Sequence, residues 1–294
     1  MALFKYSDDN KRYHTLYYHN LHKYGGRVFK ATVDARLSCP HGSCGFCSPI
    51  PVDSRSIEEQ FEAEKWRIHA KFPEAKILMY YGIRTNTFCK PEFLVEMLEK
   101  AVRCEAFAVS VATRPDCVDE QKADILAACP LPLTVELGLQ TIHDKTASLV
   151  NRGDTFSGFL RCYKLLKERN IRVCVHLING LPEETPEMML ETAERLAELR
   201  VDAVKIHSLH VMKNTAIHEL YKAGRYTPLE RDEYIDIVVK QLEVLPPETV
   251  IERVTGDGDK SLLIAPTWSK DKIFVLGGID KRMADLDTYQ GKYF

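Results

Sequence analysis

The sequence predicts an α/β fold, a full or partial barrel of parallel strands connected by helices. Apolar runs rich in β-branched and aromatic residues recur roughly every 30 residues, and helical segments lie between them. Six such runs are predicted strands: 28–33, 75–81, 107–111, 133–137, 171–177 and 203–207. This alternation is typical of parallel strands joined by right-handed crossovers. Periodicity alone does not distinguish a barrel from an open doubly wound sheet.

Start signals define the helices between these strands. Ser56, with Glu59 three residues later, forms a predicted capping box for a helix that extends to about residue 70. Pro91 and Pro186 stand where the first residue of a helix belongs. Beyond residue 209 we expect a helix over 229–245, a short strand over 249–254 and a glycine-rich tail. The predicted organisation is therefore an N-terminal arm (1–30), a partial (β/α)6-type barrel (31–208) and a C-terminal α/β extension (209–294) that caps the barrel.

Composition excludes several classes of protein. The 294 residues contain 40 Lys and Arg against 42 Asp and Glu, a net charge of −2, which excludes a strongly basic nucleic-acid scaffold. No apolar run approaches the ~18 residues of a membrane span, and the first residues lack the apolar core of a signal peptide. We therefore expect a cytoplasmic protein. Its nine cysteines then favour metal binding or redox chemistry over disulfides.

Three of the nine cysteines are close together. Cys39, Cys44 and Cys47 form a C-x4-C-x2-C loop that contains one proline and two glycines. Three thiolates with an open fourth position suit a [4Fe–4S] cluster, whereas a zinc site that recruits His41 is the alternative. The loop directly follows the first predicted strand, and barrel active sites form at the C-terminal ends of strands. The other six cysteines are scattered, as buried apolar residues often are.

The cysteine loop, together with further segments in order, resembles the radical S-adenosylmethionine (SAM) superfamily. Along nearly the whole chain the sequence is similar to the YhcC-like subfamily, which is related to the radical SAM domain of the elongator acetyltransferase. The segments that carry the resemblance are 81–87, 113–117, 135–141, 151–153, 175–182, 205–210, 253–257, 265–268 and 289–291. The first two cysteines are separated by one residue more than the three usual in the superfamily. Close relatives differ in two ways: they have a longer insertion between the first two cysteines, and they usually have glycine at the position of Glu183.

The resemblance implies cofactors and ligands. It implies a [4Fe–4S] cluster on Cys39, Cys44 and Cys47 whose open iron chelates the methionine group of SAM. An electron from a low-potential donor such as flavodoxin or ferredoxin then cleaves SAM and yields a 5′-deoxyadenosyl radical. The implied cofactor-binding residues are Phe46 beside the cluster, Gly82 near the methionine amino group, Glu136 and Gln140 near the ribose, Arg152 on the methionine carboxylate, and Asn179 and Gly180 beside adenine.

Structural roles remain open alternatives for these residues. Glu136 is either a cofactor ligand or a satisfied barrel carboxylate, and Arg152 is either a carboxylate ligand or part of a surface ion pair. Gly82 and Gly180 also suit simple turns. Lys205 and His207 are two residues apart on one predicted strand, so both side chains lie on the same face. If that face points inward, they are candidate catalytic residues; otherwise they are a surface amine and a core histidine.

The substrate is predicted from the resemblance. Relatives in this subfamily are associated with modification of the wobble uridine of tRNA, which implies remodelling of its 5-substituent, for example carboxymethylaminomethyl to aminomethyl. Residues 1–30 are basic and rich in tyrosine, a composition that suits RNA contacts but also an arm packed on the barrel. The alternatives are a radical SAM enzyme acting on a small molecule or peptide, and a zinc-binding β/α protein without radical chemistry.

Overall fold

Seven parallel strands form the main sheet of the computed structural model, which describes residues 4–40, 42–48, 50–256 and 258–294. The sheet has the order β1-β2-β3-β4-β5-β6-β8, and a two-stranded antiparallel ribbon pairs β7 with β9. The strands are β1 Val28–Val33, β2 Lys76–Tyr81, β3 Ala108–Thr113, β4 Leu133–Gln140, β5 Arg172–Asn179, β6 Ala203–Ser208, β7 Val211–Met212, β8 Val250–Arg253 and β9 Leu263–Ala265. The predicted partial barrel is thereby confirmed.

The sheet contains one strand more than the six predicted for the barrel. Strand β8 pairs in parallel with β6, through Val250 opposite Ala203 and Ile251 opposite Val204. The sequence predicts this strand, over 249–254, within the C-terminal extension. A strand of four residues has too little pattern to predict its neighbour in the sheet. That neighbour depends on how the preceding connection returns the chain to the sheet. The extension therefore contributes an edge strand to the barrel.

Most of the helices cover the outer face of the sheet. They are α1 Leu16–Tyr24, α2 Ile57–His69, α3 Pro91–Arg103, α4 Glu120–Ala127, α5 Asp144–Leu149, α6 Phe156–Glu168, α7 Pro186–Glu198, α8 Ala216–Lys222, α9 Arg231–Val244 and α10 Lys272–Asp285. Ser56 and Glu59 form the predicted capping box of α2, and Pro91 and Pro186 begin α3 and α7. In the described part of the chain, every helix is too short or too polar to cross a bilayer.

Alternation along each strand separates an apolar outer layer from a polar interior. On β4, Val135 and Leu137 belong to the main hydrophobic core, which lies between the sheet and the helices. Glu136, between them, points to the other face and is fully buried there. Because successive strand residues face opposite sides, one strand supplies both layers. The barrel interior is therefore the place where polar chemistry collects.

Helix α1 covers the N-terminal ends of the strands. The Lys76 ammonium at the start of β2 donates to the Tyr24 carbonyl over 2.5 Å, and Ile251 N at the start of β8 donates to the His14 carbonyl over 2.8 Å. A cavity of 250 Å³ lies between α1 and the strand starts. The arm thus packs on the barrel, which was the second alternative for residues 1–30. The cysteine loop lies at the opposite end, so the expected RNA contact of the arm is displaced from the site.

Candidate active site

The cysteine loop follows β1 and is fastened across the C-terminal mouth of the barrel. Gly45 N donates to the Val150 carbonyl over 2.7 Å, and the Gly45 carbonyl accepts from Ile217 N at 3.0 Å. A Cβ at Gly45 would lie 3.4 Å from the Val150 oxygen, at ordinary van der Waals distance. Asn151 adds a hydrogen bond of 3.1 Å to the Ser43 carbonyl. The loop is therefore held by residues that follow β4 and by α8.

The three thiols of the loop are close enough to influence one another. A hydrogen bond to Cys44, and then the negative charges of Cys44 and Cys39, raise the pKa of the Cys47 thiol. Cys39 Sγ lies 3.1 Å from Thr85 Oγ1. Three thiolates this close repel one another unless a cationic centre binds them. The donor set therefore fits an iron–sulfur cluster, whose ligands are cysteine thiolates.

A single metal ion fits the loop less well. Within the described ranges, no group of three or more His, Cys, Asp or Glu side chains is arranged to hold one ion. His41, the fourth ligand in the zinc alternative, lies outside the described residues. The cysteines of a cluster bind different irons, so they need not converge on a common point. The arrangement favours the cluster over the zinc site.

Two buried arginines lie beside the loop. Arg114 Nη1 lies 3.9 Å from Cys44 Sγ and donates to the Arg152 carbonyl over 2.6 Å, while Asp116 accepts from Arg114 Nε and Nη2 at 2.8 and 2.9 Å. Arg152 is only 3% exposed, and its Nη2 donates to the Gly138 carbonyl over 2.6 Å. Burial and the neighbouring Arg114 charge lower the pKa of Arg152. Its position excludes the surface ion pair, whereas its contact with SAM stays a prediction.

The predicted glycines have specific packing roles. At Gly82, a Cβ would lie 2.2 Å from Tyr80 Cε1, so the missing side chain makes room for the Tyr80 ring. Gly180 has a φ of +85°, and its carbonyl accepts from Tyr226 Oη at 2.7 Å. Glu183, with a φ of +65°, occupies the left-handed region that favours glycine, which accounts physically for glycine being usual there. Cofactor contacts of Gly82 and Gly180 stay predictions.

The other predicted cofactor residues fall in different surroundings. Gln140 lies at a bulge that ends β4, with a φ of +75°. Phe46 packs on the smaller apolar cluster at the mouth. The Asn179 side chain points away from the barrel interior and exchanges hydrogen bonds of 2.8 and 2.9 Å with Gln241 of α9. Only the backbone of Asn179 therefore remains for the predicted adenine contact.

Glu136 is the centre of the barrel interior. Its oxygens accept hydrogen bonds from side chains on five other strands: Lys30 on β1 (2.5 Å), Tyr80 on β2 (2.7 Å), Ser110 on β3 (2.9 Å), His176 on β5 (2.9 Å) and Lys205 on β6. Burial alone would raise the pKa of Glu136, but Lys30, Lys205 and His176 together hold it well below its ordinary value. The two alternatives for Glu136 are a cofactor ligand and a barrel carboxylate whose hydrogen bonds are satisfied, and these contacts match the second. A ribose contact of Glu136 stays a prediction.

Lys205 and His207 both face the interior. Lys205 is 4% exposed, and burial lowers its pKa although the Glu136 charge opposes this. Burial and then His176 hold the pKa of His207 well below its ordinary value, so its imidazole is neutral. Its Nε2 is enclosed and has no hydrogen-bond partner within the described part of the chain. Both residues are placed where catalytic groups belong, and their catalytic role stays a prediction.

Sequence reasoning missed four of the interior side chains as site residues. Lys30 belongs to the predicted basic arm, and Tyr80, Ser110 and His176 lie in predicted strands without a predicted role. A signal was present, because each is a polar residue at an alternating position of an apolar strand. Arg114, within the segment 113–117, is also absent from the predicted site residues, and the structure places its Nη1 3.9 Å from Cys44 Sγ.

We expect Glu136→Gln to destabilise the fold strongly. The change leaves Lys205 buried without a counter-charge, which costs about 3–5 kcal/mol in comparable sites. The free energy of unfolding in urea measures the loss. Adding Lys205→Met should recover much of it, and the exposed Glu219→Gln control should change it by less than about 0.5 kcal/mol. A small effect of Glu136→Gln would show that the ion network does not hold the barrel.

Glu184 predicts a pH dependence of stability. Burial raises its pKa to about 7 against hydrogen bonds from Thr141 and Thr146, and its Oε1 has no partner among the described atoms. The folded state therefore binds the proton more tightly, and the free energy of unfolding falls as pH rises from the unfolded value, 4.5, to about 7. The decrease is at most roughly 3 kcal/mol. Urea titrations should show Glu184→Gln gaining on the wild type across this window, with Glu183→Gln unchanged; parallel curves for Glu184→Gln would contradict the assignment.

Comparison with known proteins identifies the family. A Radical SAM superfamily profile matches residues 37–196, and a Radical_SAM C-terminal domain profile matches residues 201–285.

The chain is 40% identical to the YtqA protein of Bacillus subtilis, covering 99% of this chain and 95% of that protein. It is 32% identical to the YhcC protein of Escherichia coli K12, with 92% and 90% covered. Its fold is similar to that of Elp3 from the archaeon Methanocaldococcus infernus, with a TM-score of 0.70 at 18% identity, over 90% of this chain and 64% of that one. The chain therefore belongs to the radical SAM superfamily, as its resemblance to the YhcC-like subfamily implied, and its cofactors are a [4Fe–4S] cluster and SAM.

Proposed function

We propose that Cys39, Cys44 and Cys47 bind the cluster, and that the enzyme abstracts hydrogen from the 5-substituent of a tRNA wobble uridine. The observation that carries the cluster site is the placement of three mutually interacting thiols on one loop across the barrel mouth. When bound and reduced by a low-potential donor such as flavodoxin or ferredoxin, the cluster supplies an electron that cleaves SAM to a 5′-deoxyadenosyl radical. We place the enzyme in the cytoplasm, which contains both low-potential electron donors and tRNA.

The residues around the thiols orient and enclose the reacting groups. Arg152 is a buried cation suited to the methionine carboxylate, because a guanidinium binds a carboxylate through two parallel hydrogen bonds. The backbone at Gly180 and the bulge at Gln140 line the same end of the sheet. Phe46 and its apolar neighbours keep water from this end of the barrel. Enclosure protects a carbon radical from side reactions.

The substrate group enters from the mouth. The opposite end is closed by α1 and by an ionic layer in which Glu252 accepts from Lys30 and Arg172, both at 2.9 Å. A single group that projects from a larger molecule suits such a one-ended chamber. Lys205 and His207 lie beneath the mouth and are positioned to hold or accept a proton from that group.

The choice of tRNA rests on the subfamily resemblance. The proposed reaction converts a carboxymethylaminomethyl group to aminomethyl. The 5′-deoxyadenosyl radical takes a hydrogen from the carbon between the nitrogen and the carboxylate, where nitrogen stabilises the resulting radical. Return of one electron to the oxidised cluster and loss of a proton give an imine, which water hydrolyses to the aminomethyl group and glyoxylate. Because α1 covers the far end of the barrel, we place the anticodon contacts on the mouth loops instead of on residues 1–30.

Cys44→Ala should abolish formation of 5′-deoxyadenosine. Removing one thiolate leaves the cluster with two protein ligands, so anaerobically prepared protein should lose most of its iron. Chromatography of reaction products and iron analysis measure both effects. Cys129→Ala, outside the loop, should keep about four irons per chain, as one [4Fe–4S] cluster requires. Retained iron and deoxyadenosine in Cys44→Ala would refute the cluster site, and one zinc per wild-type chain would favour the zinc alternative.

Cells that lack the protein should accumulate the carboxymethylaminomethyl wobble nucleoside. Mass spectrometry of nucleosides from purified tRNA measures this directly, and a plasmid copy of the wild-type gene should restore the product while the Cys44→Ala copy should not. An unchanged nucleoside profile would exclude the tRNA substrate and redirect the search to small molecules or peptides, while leaving the cluster chemistry intact.

A further inference from the structure

Arg114 is a fixed cation directed at one sulfur of the cysteine loop. It follows β3, its side chain is 7% exposed, and Asp116 holds Nε and Nη2 at 2.8 and 2.9 Å. Nη1 carries two hydrogens. One is directed to the Arg152 carbonyl at 2.6 Å, and the same nitrogen lies 3.9 Å from Cys44 Sγ. The guanidinium is thus locked by its other contacts in a position to donate to that sulfur.

A hydrogen-bond donor beside a cysteine sulfur that binds the cluster changes the free energy of reducing the cluster. Three thiolates and an oxidised [4Fe–4S] cluster carry one net negative charge, and one added electron makes it two. A guanidinium in contact with the sulfur stabilises the more negative state, because hydrogen bonds and nearby charge set cluster potentials. The Arg114 site is buried, so solvent screens this interaction little.

The hydrogen-bond partners of Arg114 neutralise its positive charge only in part, so the charge still acts on the cysteine loop. Asp116 is its carboxylate partner, but that side chain is 28% exposed and therefore partly hydrated. Arg152, whose backbone Arg114 anchors, adds a second buried cation to the same wall. Two buried guanidinium groups therefore lie beside the loop, and that of Arg114 lies 3.9 Å from the Cys44 sulfur.

We propose that Arg114 is a positioning residue that raises the reduction potential of the cluster through Cys44, so that the low-potential donor can reduce it. This rests on the cluster site of the proposed function but not on the tRNA substrate, since the potential is measured without substrate. If Arg114 served only to fix the loop, its replacement would change cluster content and leave the potential of the remaining clusters unchanged.

The test is a redox titration of reconstituted holoenzyme, followed by the electron paramagnetic resonance signal of the reduced cluster. In Arg114→Gln the ratio of reduced to oxidised cluster at a fixed potential should fall about tenfold, equivalent to a shift of about 59 mV for one electron. The matched control is Arg84→Gln, because Arg84 donates to the Ile50 carbonyl at 2.7 Å, three residues beyond Cys47, and pairs with Asp34 instead of with a cysteine of the loop. Its potential should equal that of the wild type.

Iron analysis separates the outcomes. Arg114→Gln with full iron and a wild-type potential would overturn the proposal, as would an equal shift in Arg84→Gln. If Arg114→Gln fails to retain iron, Arg114→Lys decides: full iron with a lowered potential supports the proposal, because lysine lacks the planar fork. A wild-type potential in Arg114→Lys, or loss of iron from both variants, overturns it. Wild-type protein that binds no iron would instead refute the proposed cluster site.

Discussion

The barrel depends on one buried carboxylate. Glu136 is fully buried on the central strand β4, and a charge in this position is tolerated only when it is paired and hydrogen-bonded. Its partners therefore occupy the inward positions of five other strands, which fixes how these strands face one another. Lys30 extends the network to Glu252. Because β1 and β8 are the two edges of the sheet, this ion pair joins the edges that backbone hydrogen bonds leave open.

This network also divides the barrel into two ends with different roles. Below Glu136, the Lys30, Arg172 and Glu252 layer and helix α1 close the strand starts. Above it, the interior is lined by the neutral His207 and opens towards the cysteine loop. Ionic groups that are satisfied below the site need no partner from a ligand, whereas His207 Nε2, nearer the mouth, has no hydrogen-bond partner among the described residues. The separation lets the fold bury strong charges without placing them all in contact with the reacting groups.

The sequence allowed the strands to be predicted, and the cysteine loop to be located after the first of them, because their signals are local. The predicted first strand agrees with β1 at both ends, and Ser56 caps α2, since alternation and capping depend on neighbouring residues. The position of β8 and the Glu136 network were not predictable in the same way. They depend on which strands become neighbours, so that residues over 100 positions apart, such as Lys30 and Glu136, meet. Likewise, Asn179 follows the expected strand but turns its side chain to α9.

The cysteine loop crosses the mouth instead of remaining at the rim of β1. Strands β3 and β4 are parallel neighbours, so the segments after them emerge side by side and bring Arg114 against the backbone of Arg152. The loop reaches this pair because Gly45 is bound both to Val150, which follows β4 and α5, and to Ile217 of α8. The departure from the usual cysteine spacing therefore lies in a segment with anchors on both sides of Cys44. A cluster bound there would be held by contacts from three separate parts of the fold, which explains how a loop of irregular length can still present its sulfurs to the barrel.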